Sequence, residues 1–227
     1  MNATQTSPIG RAGEFARTCL VMVTCTATVL SVPRLTAGPA FSTTLQNAGE
    51  VTVRLETARG NITVALDTTH APITAGNFLN YVDAGLYDGG RFYRVTRPDT
   101  YTPTPPNRPA MELIQGGIDP AKRLQAFDPI PLERTSVTGL KHVAGTISMA
   151  RNGVDSARGE FFILLDDQPS LDFGGKRFDD EQGAAAFGHV VAGLDVVRKI
   201  QQERPTQEGN PQYLVTPVPI TRAVRVK

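Results

Sequence analysis

Few residues in this chain are of a type and spacing that could do chemistry. The three histidines are His70, His142 and His189, and no two of them have the spacing of a metal-binding pair. The two cysteines, Cys19 and Cys25, both lie near the N-terminus, so the body of the chain has no thiol to ligate or attack. No serine sits in a nucleophile elbow. A Ser/His/Asp set assembled in space stays open at this point. No glycine-rich loop opens a helix to cradle a phosphate, because Gly116 and Gly117 run into "IDPAKRL", which reads as a loop. These patterns imply no cofactor and no metal. What remains is an arginine in an apolar setting, Arg94 in "RFYRV". If that stretch is a strand, alternation puts Phe92 and Arg94 on one face. A guanidinium beside a phenylalanine is either a surface residue or a charge held for a purpose, and the pattern alone leaves both open.

The elements that must position Arg94 are mostly short strands. Val51, Val53 and Leu55 alternate with polar residues, as do Ile62, Val64 and Leu66 after a turn at residues 58–60. Period two on both sides of a glycine turn is a hairpin. Pro72, the apolar stripe Phe78, Tyr81 and Val82, and a stop at Gly85 predict a helix over 72–83. "GGRFYRVTR", "MELIQGG", "GTISMA", "FFILL" and "AFGHVV" read as strands, "GLDVVRKIQQ" as a second helix and "PVPITRAVRVK" as a closing strand. Residues 97–110 form a proline-rich loop, since prolines cannot sit in a central strand. Many strands, two helices and no sustained βαβ alternation make an all-β, mainly β, fold: a barrel or sandwich with a helix at each end. The polar run 151–159 between two apolar strands is longer than a hairpin turn needs, and such loops usually carry function.

Composition excludes some partners. Lys plus Arg number 23 against 22 Asp plus Glu, a net charge of +1, so nothing points to nucleic acid or an anionic surface. Arg11 and Arg17 precede an apolar run at 19–32, followed by small residues. That is the form of a secretory signal, and the run is short of the roughly 20 residues of a membrane span. The expected organisation is a signal peptide at 1–40, a linker at 41–50 and one domain at 51–227. It predicts a periplasmic or secreted protein, with a cytoplasmic one as the alternative, and no stable membrane insertion after cleavage.

Taken in order, "APITAGNFLNYVDAGLYDGGRFYRV", "IQGG", "GTISMAR", "FFILL", "LD" and "AFGHVVAGLDVVRKI" resemble the cyclophilin family of peptidyl-prolyl cis–trans isomerases, in a divergent bacterial form with insertions at 97–110 and 173–184. The resemblance runs from about Val51 to the C-terminus. It implies a closed eight-stranded antiparallel barrel capped by two α-helices, proline-containing polypeptides as substrates and, by family default, a monomer. It places Arg94 on the catalytic arginine and Gln115 on the glutamine that holds it. Phe92, on the face assigned to Arg94, is expected to be substrate-binding. Phe162, Leu171 and Leu113 fall on the apolar wall that accepts the proline ring. Ala150, Arg151 and Asn152 fall on the strip that binds the substrate backbone.

The sequence also departs from the family pattern. Glu112 stands where the resemblance expects a pocket phenylalanine, Glu160 replaces a glutamine that contacts substrate, and Ser170 replaces a rim aromatic. The two carboxylates are expected to orient Arg94 through charge-assisted bonds and to favour basic residues beside the proline. Their alternatives are a neutral change at an exposed rim, or a pairing that neutralises Arg94. The function these features imply is prolyl isomerisation assisting protein folding. Its alternative is a catalytically weak module that binds proline-containing segments as a chaperone or scaffold.

Overall fold

The computed structural model describes residues 49–98, 110–206 and 210–226. The segment 1–48, with the expected signal and most of the linker, and most of the proline-rich loop lie outside the described residues. The elements run β1 (Glu50–Thr57), β2 (Gly60–Asp67), α1 (Pro72–Asp83), β3 (Arg91–Thr96), β4 (Leu113–Gly117), α2 (Thr135–Thr138), β5 (Thr146–Met149), β6 (Phe161–Leu164), β7 (Ala185–Ala192), α3 (Leu194–Gln201) and β8 (Tyr213–Val226). Eight antiparallel strands close into a barrel in the order β1-β2-β7-β5-β6-β4-β3-β8, as the resemblance implied. Closure pairs β8 with both β1 and β3, so no strand edge is left open.

Alternation decides which side chains fill the interior. Leu55, Ile62, Val64, Ile114, Ile147, Phe161, Ile163 and Phe187 point inward and are fully buried. Phe78 of α1 joins them, edge-on to Phe161 at a centroid distance of 5.3 Å. Such pairs add about 0.5–1.5 kcal/mol beyond the burial of their area. Helix α1 matches its predicted span, yet Ala71 before it offers no side-chain cap. Glu133, far along the chain, replaces that cap by accepting the Ile73 and Thr74 N–H groups at 3.0 and 2.6 Å. Helix α3 buries Val196, Val197 and Ile200, while Leu194 is only partly covered. The four-residue α2 and short 3₁₀ turns at Pro120–Gln125 and Pro169–Leu171 add to the two predicted helices.

The same alternation builds a second apolar cluster on the outer wall. In β4 Ile114 points in and Leu113 points out. In β6 Phe161 and Ile163 point in while Phe162 and Leu164 point out. Met111, Leu171 and Ala184 complete this outer cluster, with Ala150 and Phe178 packed on it.

Candidate active site

The strand register aligns the site in one row across the barrel wall. Arg94 on β3 lies opposite Gln115 on β4, Gln115 opposite Phe162 on β6, and Phe162 opposite Ser148 on β5. Neighbouring strands are about 4.8 Å apart, so these side chains are laid side by side. The row exists because β3 is irregular. Phe92 pairs with Gly116 and Arg94 with Gln115, leaving Tyr93 as an extra residue in a bulge. The shared face expected for Phe92 and Arg94 is therefore corrected: Phe92 is fully buried inside the barrel, and Arg94 is turned out into a groove. Gly116 makes this possible, since a Cβ there would meet the Phe92 ring at 2.8 Å.

The groove encloses about 970 Å³. One part is apolar, walled by Met111, Leu113, Phe162 and Leu171, with Arg94 and Gln115 also lining the groove. Arg94 donates from Nη1 to Gln115 Oε1 at 2.6 Å. It also donates from Nε and Nη2 to Gln212 Oε1, at 2.9 and 2.5 Å. Gln115 donates from Nε2 to the Tyr93 hydroxyl at 2.8 Å, and that hydroxyl donates to Glu160 Oε2 at 2.8 Å. Each group in this chain has one consistent role, which fixes the orientation of the Gln115 amide and, through it, of the guanidinium.

The direct Glu–Arg contacts expected from sequence do not form. Glu160 reaches Arg94 only through Tyr93 and Gln115. Its carboxylate fills the space where Gly117 lacks a side chain, since a Cβ there would lie 2.3 Å from both oxygens. Burial pushes the Glu160 carboxyl above its ordinary range, against the Tyr93 hydrogen bond and the positive charges of Arg123 and Arg91. Burial and the adjacent Glu160 in turn raise the Tyr93 phenol. Glu112 lies off the groove and accepts from Gln201 Nε2 at 3.2 Å, and Met111 occupies the wall in its place. Neighbouring side chains alternate in direction, so a one-residue displacement suffices for that exchange.

Ala150 and Asn152 line the groove. Arg151 does too, but its side chain is only 1% exposed. Its guanidinium bonds both oxygens of Asp180 at 2.7 and 2.8 Å, and the Gly183 carbonyl at 2.7 Å. It also stacks over the Phe178 ring at 3.8 Å. The bond from Arg151 holds the Asp180 carboxyl low, at about 2. Ser170 is not on the groove. The aromatic that sequence reasoning found missing there comes from the insertion at 173–184, as Phe178. Three contributors escaped that reasoning: Gln212, Met111 and Phe178. Gln212 adjoins the closing strand, and only the pairing of β8 with β3 brings it to Arg94.

The Ser/His/Asp set left open by the sequence does assemble. His142 Nδ1 lies 2.8 Å from Asp172 Oδ1, and its Nε2 lies 2.9 Å from Ser148 Oγ. Ser148 is fully buried and His142 is 1% exposed, behind the Phe162 ring that His142 stacks on. No acyl group can reach that hydroxyl, so the set braces the wall rather than attacks a substrate. Burial pushes the Asp172 carboxyl up, but the His142 bonds outweigh it and leave the carboxyl below its ordinary value. Among the described residues, no three His, Cys, Asp or Glu side chains gather to hold a metal ion.

The chain and its fold have known relatives. The family model for cyclophilin type peptidyl-prolyl cis-trans isomerase matches residues 52–225. Peptidyl-prolyl cis-trans isomerase A of Dickeya dadantii is 37% identical over 196 residues, 86% of this chain and 92% of that protein. Peptidyl-prolyl cis-trans isomerase B of Escherichia coli is 32% identical over 150 residues, 66% of this chain and 83% of that protein. The fold is similar to a crystal structure of a cyclophilin type peptidyl-prolyl cis-trans isomerase from Cryptosporidium parvum, with a TM-score of 0.61 at 19% identity, over 78% of this chain and 98% of that one. A second structure of that protein, in the presence of the dipeptide Ala-Pro, has a TM-score of 0.60, and the alignment covers 78% of this chain and 99% of that one. By sequence and by fold, the chain belongs to the cyclophilin-type peptidyl-prolyl cis–trans isomerase family.

Proposed function

We propose that Arg94 carries prolyl isomerisation in this chain, acting on proline-containing polypeptides seated in the groove. The observation that carries this reading is the Arg94 guanidinium, held by Gln115 and Gln212 in a groove with an apolar wall. Rotating an X-Pro amide breaks its C–N resonance, against a barrier of about 18–20 kcal/mol. At the half-twisted state the prolyl nitrogen becomes pyramidal and regains a lone pair. A guanidinium donor aimed at that nitrogen binds the twisted amide better than the planar one, and only such differential binding speeds the reaction. The wall of Met111, Leu113, Phe162 and Leu171 grips the ring while the carbonyl side rotates. No covalent bond forms and no proton moves. An arginine suits this role because it stays charged and its planar fork can be held at several points.

Titrating a short Ala-Pro peptide into the protein, with exchange followed by NMR, tests the reading. Cis–trans exchange should accelerate, and shifts should centre on Leu113, Gln115 and Phe162. Unaccelerated exchange with the same shifts would instead support the proline-binding module. That alternative draws on Glu112, Glu160 and the missing rim aromatic; the two carboxylates bond Gln201 and Tyr93 rather than Arg94.

The N-terminal pattern supports export to the periplasm or beyond, with the folding of exported chains as the setting and a monomer as the working form. Among the described residues no helix is long and apolar enough to cross a membrane. Fractionation of cells expressing the full chain should recover a processed protein in the periplasm, and an unprocessed cytoplasmic one would overturn the export reading.

A further inference from the structure

One part of the groove carries more positive charge than isomerisation needs. Arg91, Arg123 and Arg158 line the groove with Glu160, its single acidic residue among the described residues. All three arginines are exposed, and none has an ion-pair partner among the described residues. Arg158 donates to the Phe127 carbonyl at 2.7 Å, which anchors its head beside the groove. Glu160 offsets at most one of the three charges, and it accepts the Tyr93 hydroxyl. The chain as a whole carries only +1, so this excess is segregated rather than general. A cleft lined by one sign of charge concentrates the opposite sign and speeds its arrival.

Position fixes where the recognised group would lie. Glu160 precedes Phe162 by two residues on one extended stretch, which at about 3.3 Å per residue is about 7 Å from the ring-binding wall. An extended substrate spans that distance in about two residues. We infer that the groove selects proline segments with an Asp or Glu within two residues of the proline, read by Arg91, Arg123 and Arg158. This rests on the groove being the prolyl-peptide site. It reverses the preference for basic residues beside the proline expected from Glu112 and Glu160.

The test uses the full chain and two peptide series, with Glu, Gln or Lys two residues before or two residues after an Ala-Pro unit. Affinity by NMR titration ranks the flanking residue, while acceleration of the Gln peptides separately reports isomerisation. In one series the Glu peptide should bind about tenfold tighter than the Lys peptide at low salt, narrowing to about twofold at high salt, since exposed pairs are weak singly and screened. The triple variant Arg91→Gln, Arg123→Gln, Arg158→Gln should bring the Glu-to-Gln affinity ratio close to one. Equal affinities in both series, a preference for Lys, or a Glu preference that survives the triple variant would each overturn the inference. A Glu preference without acceleration would sink the isomerase reading and leave this one standing.

Discussion

Two polar relays lie on either side of Phe162 on the outer wall, and they differ in what they face. Arg94–Gln115–Tyr93–Glu160 ends in the groove, with a guanidinium lining it. Asp172–His142–Ser148 contains the residue types of a hydrolase but ends in a sealed hydroxyl behind the aromatic wall. Residue type alone would rank the second as the chemical site. Access reverses the ranking, and the strand register explains it: Gln115 and Ser148 are the two cross-strand neighbours of Phe162, one on the open side and one on the closed side.

If the sealed relay is a brace, breaking it should cost stability first. His142→Ala removes the imidazole between Asp172 and Ser148: Asp172 keeps the residue-142 N–H and Lys141, while the buried Ser148 hydroxyl loses its partner, so unfolding free energy should fall by about 1–3 kcal/mol in chemical denaturation. A loss well under 1 kcal/mol would show that the brace bears nothing. The open relay should respond the other way. Gln212→Ala and Gln115→Ala should each lower kcat/KM about tenfold, by loosening the Arg94 fork, while unfolding free energy changes by under about 1 kcal/mol. Unchanged turnover in both would mean that these amides do not orient the guanidinium.

The smallest effects are on pH dependence, and the two relays carry opposite signs. Asp172 titrates below its ordinary 3.8, so its contribution to stability is complete above that value and lost as pH falls through the folded one. Glu160 titrates above its ordinary 4.5, so its neutral form is favoured in the fold and stability declines as pH rises from about 4.5 through the folded value. Asp172→Asn should therefore flatten the acid-side fall in stability. Glu160→Gln should remove the decline on the other side and keep the Tyr93 bond, since its amide oxygen still accepts. Identical slopes in wild type and both variants, followed by thermal melts from pH 3 to 7, would contradict these assignments.

The barrel was legible because alternation is a local signal. Ile114 against Leu113 and Gln115, and Phe161 against Phe162, divide interior from groove by parity, and α1 follows from Pro72, its apolar stripe and Gly85. The site was legible as far as the resemblance reached, to Arg94, Gln115 and the apolar wall. What failed depends on register or on distant chain. A bulge at Tyr93 leaves no mark in composition, yet it separates Phe92 from Arg94. Gln212 and the Glu133 cap act across 118 and 60 residues, where no periodicity connects the partners. Phe178 sits in an insertion whose path is set by the Arg151 pairing with Asp180, so its service as a rim aromatic could not be read from residues 173–184 alone.

The central claim is that the Arg94 guanidinium catalyses and the wall binds. Prolyl exchange in an Ala-Pro peptide, measured by NMR with the wild type and Arg94→Ala, tests it most directly. The account predicts a fall in catalysed exchange of about 10²–10³-fold, as for loss of one preorganised donor, with peptide affinity changed much less. Exchange that survives the substitution, or that falls only in step with affinity, would contradict it.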